Sequence, residues 1–391
     1  MLNLGFSPWP SFDDEEAEAV SAVLKSNRVN YWTGEEARQF EREYAEWTGT
    51  KHAIALANGT VALELAWKVL GIGPGDEVIC TPRTYFASVS SIVLTGAKPV
   101  FADVDLDSQN ITPESVEPLI TPKTKAILCV HLAGWPCDMA GFRMLANQHK
   151  IAIVEDCAQA HGAHFDGRPV GSFGDANAWS FCQDKIITTA GEGGMLTTDS
   201  TELWNKAWSF KDHGKSWSSI YERDHPPGFR WVHESWGTNW RLTEMQSAIG
   251  RIQLRRMPEW HLKRKRNATH LAEGLGTYNS IRIPQVPSNV EHAWYKFYVF
   301  LKPDALSASW DRDRVQDSIN ERGVPCFAGS CPEVYLEKAF SGTDFTPGKR
   351  LTNAKKLGET SLMFLVHPTL TDDEIQKTVD VAGNILQKSI R

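Results

Sequence analysis

Between residues 53 and 200 short apolar runs alternate with helical patterns, and this alternation limits the chain's possible folds more than any other feature. Runs at 53–57, 77–81, 98–103, 126–131, 151–156, 176–181 and 194–198 have strand length, and helical patterns at 61–70, 86–94, 113–119 and 140–149 lie between them. Strands separated by helices pair in parallel, because a parallel pair needs a crossover that a tight hairpin cannot supply. The expectation is an α/β fold built on a large, mostly parallel seven-stranded sheet.

The 391 residues exceed what a single core usually supports, so a second, smaller unit is expected. A helix beginning near Thr243 carries a capping box, Thr243 with Gln246, and presents Met245, Ala248, Ile249 and Ile252 on one face. Beyond it, an apolar run at 294–301 and helical patterns at 311–322 and 372–387 suit a smaller C-terminal α+β domain. The boundary is placed near Met257, giving residues 1–257 to the large domain and 258–391 to the small one.

A net charge of −7 gives no overall basic excess to attract nucleic acid or a membrane surface. The first ten residues lack a basic segment followed by an apolar one, and no run approaches the roughly 20 apolar residues of a membrane helix. A cytoplasmic protein is expected. Seven cysteines, an odd number without a CxxC pair, argue against a disulfide framework and a zinc site. Cys80, Cys129 and Cys157 read as buried thiols, and Cys182, Cys326 and Cys331 as core or wall residues. The run Lys263-Arg264-Lys265-Arg266 reads as a solvated helix face.

Chemistry concentrates around Lys185, which follows the apolar run at 176–181 and precedes the turn Gly191-Glu192-Gly193-Gly194. A lysine so placed can form an imine with an aldehyde cofactor. The run at 151–156 ends in Glu155-Asp156, whose side chains point to opposite faces of a strand, so only one can meet a protonated ring nitrogen. A Schiff-base lysine with an acidic partner for a pyridinium is the pairing of pyridoxal phosphate (PLP) enzymes. Asn58-Gly59-Thr60 opens a helix after a strand, a natural phosphate seat, and Ser180 can add a hydroxyl. Gln159 can reach the ring hydroxyl. Phe86 stands where an aromatic can stack on a flat ring.

Taken in order, Asn58-Gly59-Thr60, Glu155-Asp156-Cys157-Ala158-Gln159, Ser180-Phe181 with Lys185, Gly191-Glu192-Gly193-Gly194, Asp212-His213-Gly214 and Gly237-Thr238-Asn239-Trp240-Arg241-Leu242 resemble the DegT/DnrJ/EryC1/StrS family of PLP-dependent sugar aminotransferases. The resemblance implies the fold type I aminotransferase architecture, with Lys185 as the lysine that bonds the cofactor and shuttles protons. It implies Asp156 as the pyridinium partner, Gln159 at the ring oxygen, Phe86 as the stacking aromatic, and Gly59, Thr60 and Ser180 at the phosphate. Asn239 matches a residue that reaches the phosphate from the neighbouring subunit, which implies a homodimer with shared active sites. The implied substrates are L-glutamate and a nucleotide-linked keto-sugar, the product being an amino sugar for a surface polysaccharide, a glycan or an antibiotic.

Tyr85 and Cys182-Gln183-Asp184 depart from the family pattern on the substrate side. Relatives that carry His in place of the lysine act as dehydratases, and Lys185 favours transamination over that reading. Lys185 with Asp156 also argues against a catalytically silent, PLP-binding regulator. The tryptophans between 204 and 240 read as packing or interface residues rather than sugar contacts.

Overall fold

A computed structural model describes residues 5–390. All seven runs form strands of one sheet: β1 His52–Leu56, β2 Glu77–Cys80, β3 Lys98–Phe101, β4 Thr124–Val130, β5 Ala152–Asp156, β6 Ala176–Ser180 and β7 Gly194–Thr198. Their order is β1-β7-β6-β5-β4-β2-β3. Neighbours from β6 to β3 pair in parallel, and β7 alone runs against its two neighbours.

The two-residue period of the strands sorts their side chains onto two covered faces. Val78, Leu128 and Val154 join one core with Leu65 and Ala66 of the Gly59–Leu70 helix and Ile92 of the Phe86–Leu94 helix. Ile79, Ile127 and Ile153 join another with Phe142 and Leu145 of the Met139–His149 helix. Burial on both faces explains why the strands read as continuous apolar runs.

The helix from Glu244 to Leu275 starts on the expected capping box, Thr243 with Gln246, and links the large sheet to a smaller unit. Its Leu254, Met257 and Trp260 pack beneath the large sheet, whereas Ala268, Leu271 and Leu275 pack on a four-stranded antiparallel sheet. That second sheet comprises Ile281–Arg282, Phe297–Leu301, Ser361–Phe364 and Cys326–Phe327. Position 257 therefore lies within a continuous helix, and the apolar contacts change hands between Trp260 and Ala268. The chain also crosses back, since Val334, Tyr335 and Phe340 return to the first core.

Arg264 corrects the reading of its basic run as a solvated face. It falls on the inner stripe of the long helix and is 1% exposed, with its guanidinium 5.0 Å from the Trp9 ring centroid. Burial pushes it down to about 9. The helical period, rather than the charge of the tetrapeptide, decides its place. All seven cysteines are free thiols.

Candidate active site

The carboxyl ends of the parallel strands are where open α/β sheets collect ligands, and here they surround a cavity of about 830 Å³. Asn58, Gly59 and Thr60 enter after β1, Thr84 and Tyr85 after β2, Asp156 from β5 and Ser180 from β6. The smaller unit supplies Tyr295, Lys296, Tyr298 and Met363 to the opposite wall.

The first wall is a helix start. Asn58 is the N-cap of the Gly59–Leu70 helix, its Oδ1 accepting from the Val61 N–H at 3.0 Å. The positive end of the helix dipole thus faces the cavity through Gly59 and Thr60. No side chain fits at position 59, because a Cβ there would lie 2.6 Å from Ser180 Cβ. Position 194 is similarly closed, since its Cβ would meet the Asn58 carbonyl carbon at 2.4 Å. Glycine at these two points lets the helix start close onto β6 and β7, leaving room for an anion beside the Ser180 hydroxyl.

The end of β5 separates two carboxylates by function. Glu155 points away from the cavity and is fully buried, with Oε2 2.9 Å from His131 Nε2 and 2.8 Å from the Gly171 N–H. Its Oε1 accepts from Phe173 N–H at 2.8 Å and Gly174 N–H at 2.6 Å. Burial pushes this carboxyl up, but His131 and the backbone donors outweigh it and hold it below the usual carboxylate range. His131 Nδ1 accepts from the Cys137 N–H at 3.0 Å, so Nε2 carries the proton shared with Glu155. Although His131, Glu155 and Cys157 cluster, both imidazole nitrogens are thereby committed, and the cluster is an anchor rather than a metal centre.

Asp156 points the other way, into the cavity. Its Oδ2 accepts from the Ser88 hydroxyl at 2.7 Å, and Ser88 lies 2.8 Å from Thr84 Oγ1. The Ala158 N–H donates to Oδ1 at 3.2 Å. These donors fix the carboxylate on the cavity floor. Gln159 lines the same floor, its Oε1 accepting from the Ala133 N–H at 2.8 Å.

Lys185 reaches the cavity from the loop after β6, where Trp9 Nε1 donates to its carbonyl at 2.9 Å. Its Nζ lies 3.7 Å from Asp184 Oδ1 and 5.2 Å from the centroid of Tyr295. The Tyr295 hydroxyl donates to Asp184 Oδ2 at 2.5 Å. Burial raises the Asp184 carboxyl, but Lys185, Tyr295 and Lys296 prevail and hold it below its ordinary value. Behind Lys185, His161 is fully buried between Trp179 and Phe181, and burial, with Lys185 and Arg264 adding repulsion, pushes it down to about 3. It is a neutral packing residue.

Of the residues singled out in the sequence, Gly59, Thr60, Asp156, Gln159, Ser180 and Lys185 meet around this one cavity. Phe86 does not. Its ring lies edge-on to Phe340 at 6.2 Å, outside the cavity lining, while Tyr85, one residue earlier, lines the cavity and is 72% exposed. The correction follows from the backbone: Tyr85 is the extended N-cap residue and Phe86 is already the first residue of the helix, so their side chains diverge. Asn239 is exposed and lies outside its own chain's cavity, bridged to Asp212. Sequence reasoning missed Ser88, Tyr295, Lys296 and Tyr298. Ser88 had a local signal, its place in the first turn of the helix that follows β2, whereas the other three come from the distant small unit.

The donor set fits pyridoxal phosphate. It combines a cradle that a Cβ at position 59 would fill, an aspartate held by Ser88 and the Ala158 N–H, and a lysine amine lining the same cavity. A type I fold carrying this set defines a PLP-dependent aminotransferase. Residues 10–382 match the DegT/DnrJ/EryC1/StrS aminotransferase family, and the chain belongs to it. It is 57% identical to the aminotransferase from Psychrobacter cryohalolentis, whose X-ray structure superposes with a TM-score of 0.96 over 98% of this chain and 99% of that one. Two curated relatives are dTDP-3-amino-3,4,6-trideoxy-alpha-D-glucose transaminase of Streptomyces venezuelae and GDP-perosamine synthase of Caulobacter vibrioides. Each is 34% identical, the first across 94% of this chain and 90% of its own length, the second across 96% and 97%.

Proposed function

We propose that this aminotransferase moves the amino group of L-glutamate to a nucleotide-linked keto-sugar, releasing 2-oxoglutarate and an amino sugar, and that it works in the cytoplasm as a homodimer with shared active sites. The observation that carries the reading is the convergence of Lys185, Asp156 and the Gly59–Thr60 helix start on one cavity. Relatives whose names specify dTDP- and GDP-linked products support a nucleotide-sugar acceptor. The free thiols agree with a reducing compartment, and among the described residues no helix is long and apolar enough to cross a membrane.

Bound PLP supplies an aldehyde for imine formation and a ring that accepts the electrons left when a carbon gives up its proton. The chain's residues do the rest. Gly59, Thr60 and Ser180 would hold the cofactor's phosphate, Asp156 would keep its ring nitrogen protonated, Gln159 would bind its ring oxygen and Tyr85 would stack on its ring. With the cofactor bound, Lys185 Nζ would be the group placed to take the proton from the α-carbon of glutamate and to hand it on within the same half-reaction, acting first as base and then as acid. In the second half-reaction the same amine would run the two transfers in reverse and deliver a proton to the sugar carbon that receives nitrogen. Asp184, 3.7 Å away, steadies the ammonium form between these transfers.

Borohydride reduction and peptide mapping should place the cofactor adduct on Lys185, and Lys185→Ala should abolish turnover while still binding pyridoxamine phosphate. An adduct on another residue, or full turnover by the purified variant, would reject the assignment.

A further inference from the structure

Tyr298 is the second residue of Phe297–Leu301, an inner strand of the four-stranded sheet, and its cross-strand neighbour Met363 lines the cavity with it. The side chain is 7% exposed, and two contacts fix its hydroxyl. The Ser330 N–H donates to Oη at 3.0 Å. Gly329 closes on the ring so tightly that a Cβ there would lie 2.4 Å from Cε1 and 2.5 Å from Oη, and its φ of +96° suits glycine on backbone grounds as well. Gly329 and Ser330 themselves line the cavity. Arg83 packs against the same ring, its Cζ 5.8 Å from the centroid. It is fully buried, with Nε donating to Gln109 Oε1 at 2.9 Å and Nη2 to Ser361 Oγ at 3.2 Å.

A phenol both accepts and donates. Tyr298 accepts from Ser330, whereas its own O–H has no acceptor among the described residues. A buried donor left unpaired is costly, so a polar group entering the cavity is the partner that this O–H is built to meet. Tyr298 and Ser330 present neutral hydroxyls. A neutral donor suits an uncharged oxygen, the kind that a sugar carries in number, whereas the carboxylates of an amino acid bind most strongly to cations.

We propose that Tyr298 donates a hydrogen bond to an oxygen of the sugar acceptor, and that the Gly329–Ser330 backbone holds the phenol in position to do so. The inference rests on the keto-sugar reading above and deepens it, since it names a residue that recognises the acceptor and leaves the amino donor untouched. A site built to bond a substrate oxygen discriminates against a competitor lacking it, because the buried donor is then left unpaired.

Both 2-oxoglutarate and a keto-sugar return the pyridoxamine phosphate form of the enzyme to its PLP form, so recovery of the cofactor band compares two acceptors in one protein. A panel of dTDP-, UDP- and GDP-linked keto-sugars identifies the best sugar acceptor of the wild type. With that sugar, Tyr298→Phe should raise the half-saturating concentration by about tenfold, while recovery with 2-oxoglutarate stays within about twofold of wild type. Gly329→Ala, whose Cβ displaces the phenol, should show the same selective loss and serves as the test if Tyr298→Phe does not load cofactor. Equal slowing with both acceptors, slowing confined to 2-oxoglutarate, or no change with either overturns the proposal. Failure of both variants to load cofactor overturns it as well, by assigning Tyr298 to the fold. If the wild type recovers with 2-oxoglutarate and with none of the keto-sugars, the keto-sugar reading itself fails, a result seen without any variant.

Discussion

At the scale of single residues, one step along the chain separates a cavity-lining aromatic from a packing aromatic. Tyr85 and Phe86 are both aromatic and both follow β2, and composition does not distinguish them. The helix that begins at Phe86 does, because the extended N-cap carries Tyr85 over the cavity while the first helical turn carries Phe86 toward Phe340. A tyrosine left 72% exposed at the rim of a deep cavity presents a bare ring face that a planar cofactor can cover. Tyr85→Ala should therefore weaken PLP binding by about tenfold, equivalent to roughly 1.4 kcal/mol. Phe86→Ala should leave it nearly unchanged. Fluorescence titration of the apoenzyme with PLP measures both, and the opposite ranking would return the stacking role to Phe86.

At the scale of elements, β5 shows how one strand end serves both architecture and chemistry. Glu155 ties the strand to the 171–174 turn that leads into β6, and so holds Asp156 and Ser180 on adjacent strands of one floor. Glu155→Gln removes a buried carboxylate and presents an N–H group to a set of donors, which should destabilise the protein by about 3 kcal/mol or more at neutral pH. Because the folded carboxyl sits below its ordinary value of 4.5, its stabilisation is complete above that pH and is lost as pH falls through the folded value. The gap between wild type and variant should accordingly narrow in acid. Denaturant titrations at pH 7 and below pH 4.5 test this, and a gap independent of pH would mean that the charge is not what anchors the turn. Local patterns made such elements readable: the seven strands and the Phe86–Leu94 helix follow from period, and the start of the Glu244–Leu275 helix from its capping box. Tyr295 and Lys296 were not readable, because no local rule brings them beside Lys185 from 110 residues away, and Arg264 was misread because four basic residues in a row conceal which one turns inward.

At the scale of the whole molecule, the 212–241 segment is anchored to the first core through Trp217, Ile220 and Trp240 and leaves a group of aromatics on the surface. Asp212 is fully buried and paired with Arg241 at 2.7 Å, which fixes the base of the segment. Beyond that base Phe229, Trp231 and Trp236 are 77%, 82% and 95% exposed, and Asn239 is exposed as well. Large exposed aromatics grouped in this way mark a surface that another protein covers, and a second copy of the chain satisfies this if Asn239 completes the partner's phosphate seat. Lys185→Ala and Asn239→Ala subunits, mixed after reversible dissociation, discriminate the arrangements. With shared sites, each mixed dimer contains one site in which an intact Lys185 meets an intact Asn239, and one in which both are lost. Random pairing should then restore about a quarter of wild-type turnover, well above the mean of the two parent variants. Activity equal to that mean would show that each chain completes its own site and that Asn239 acts elsewhere.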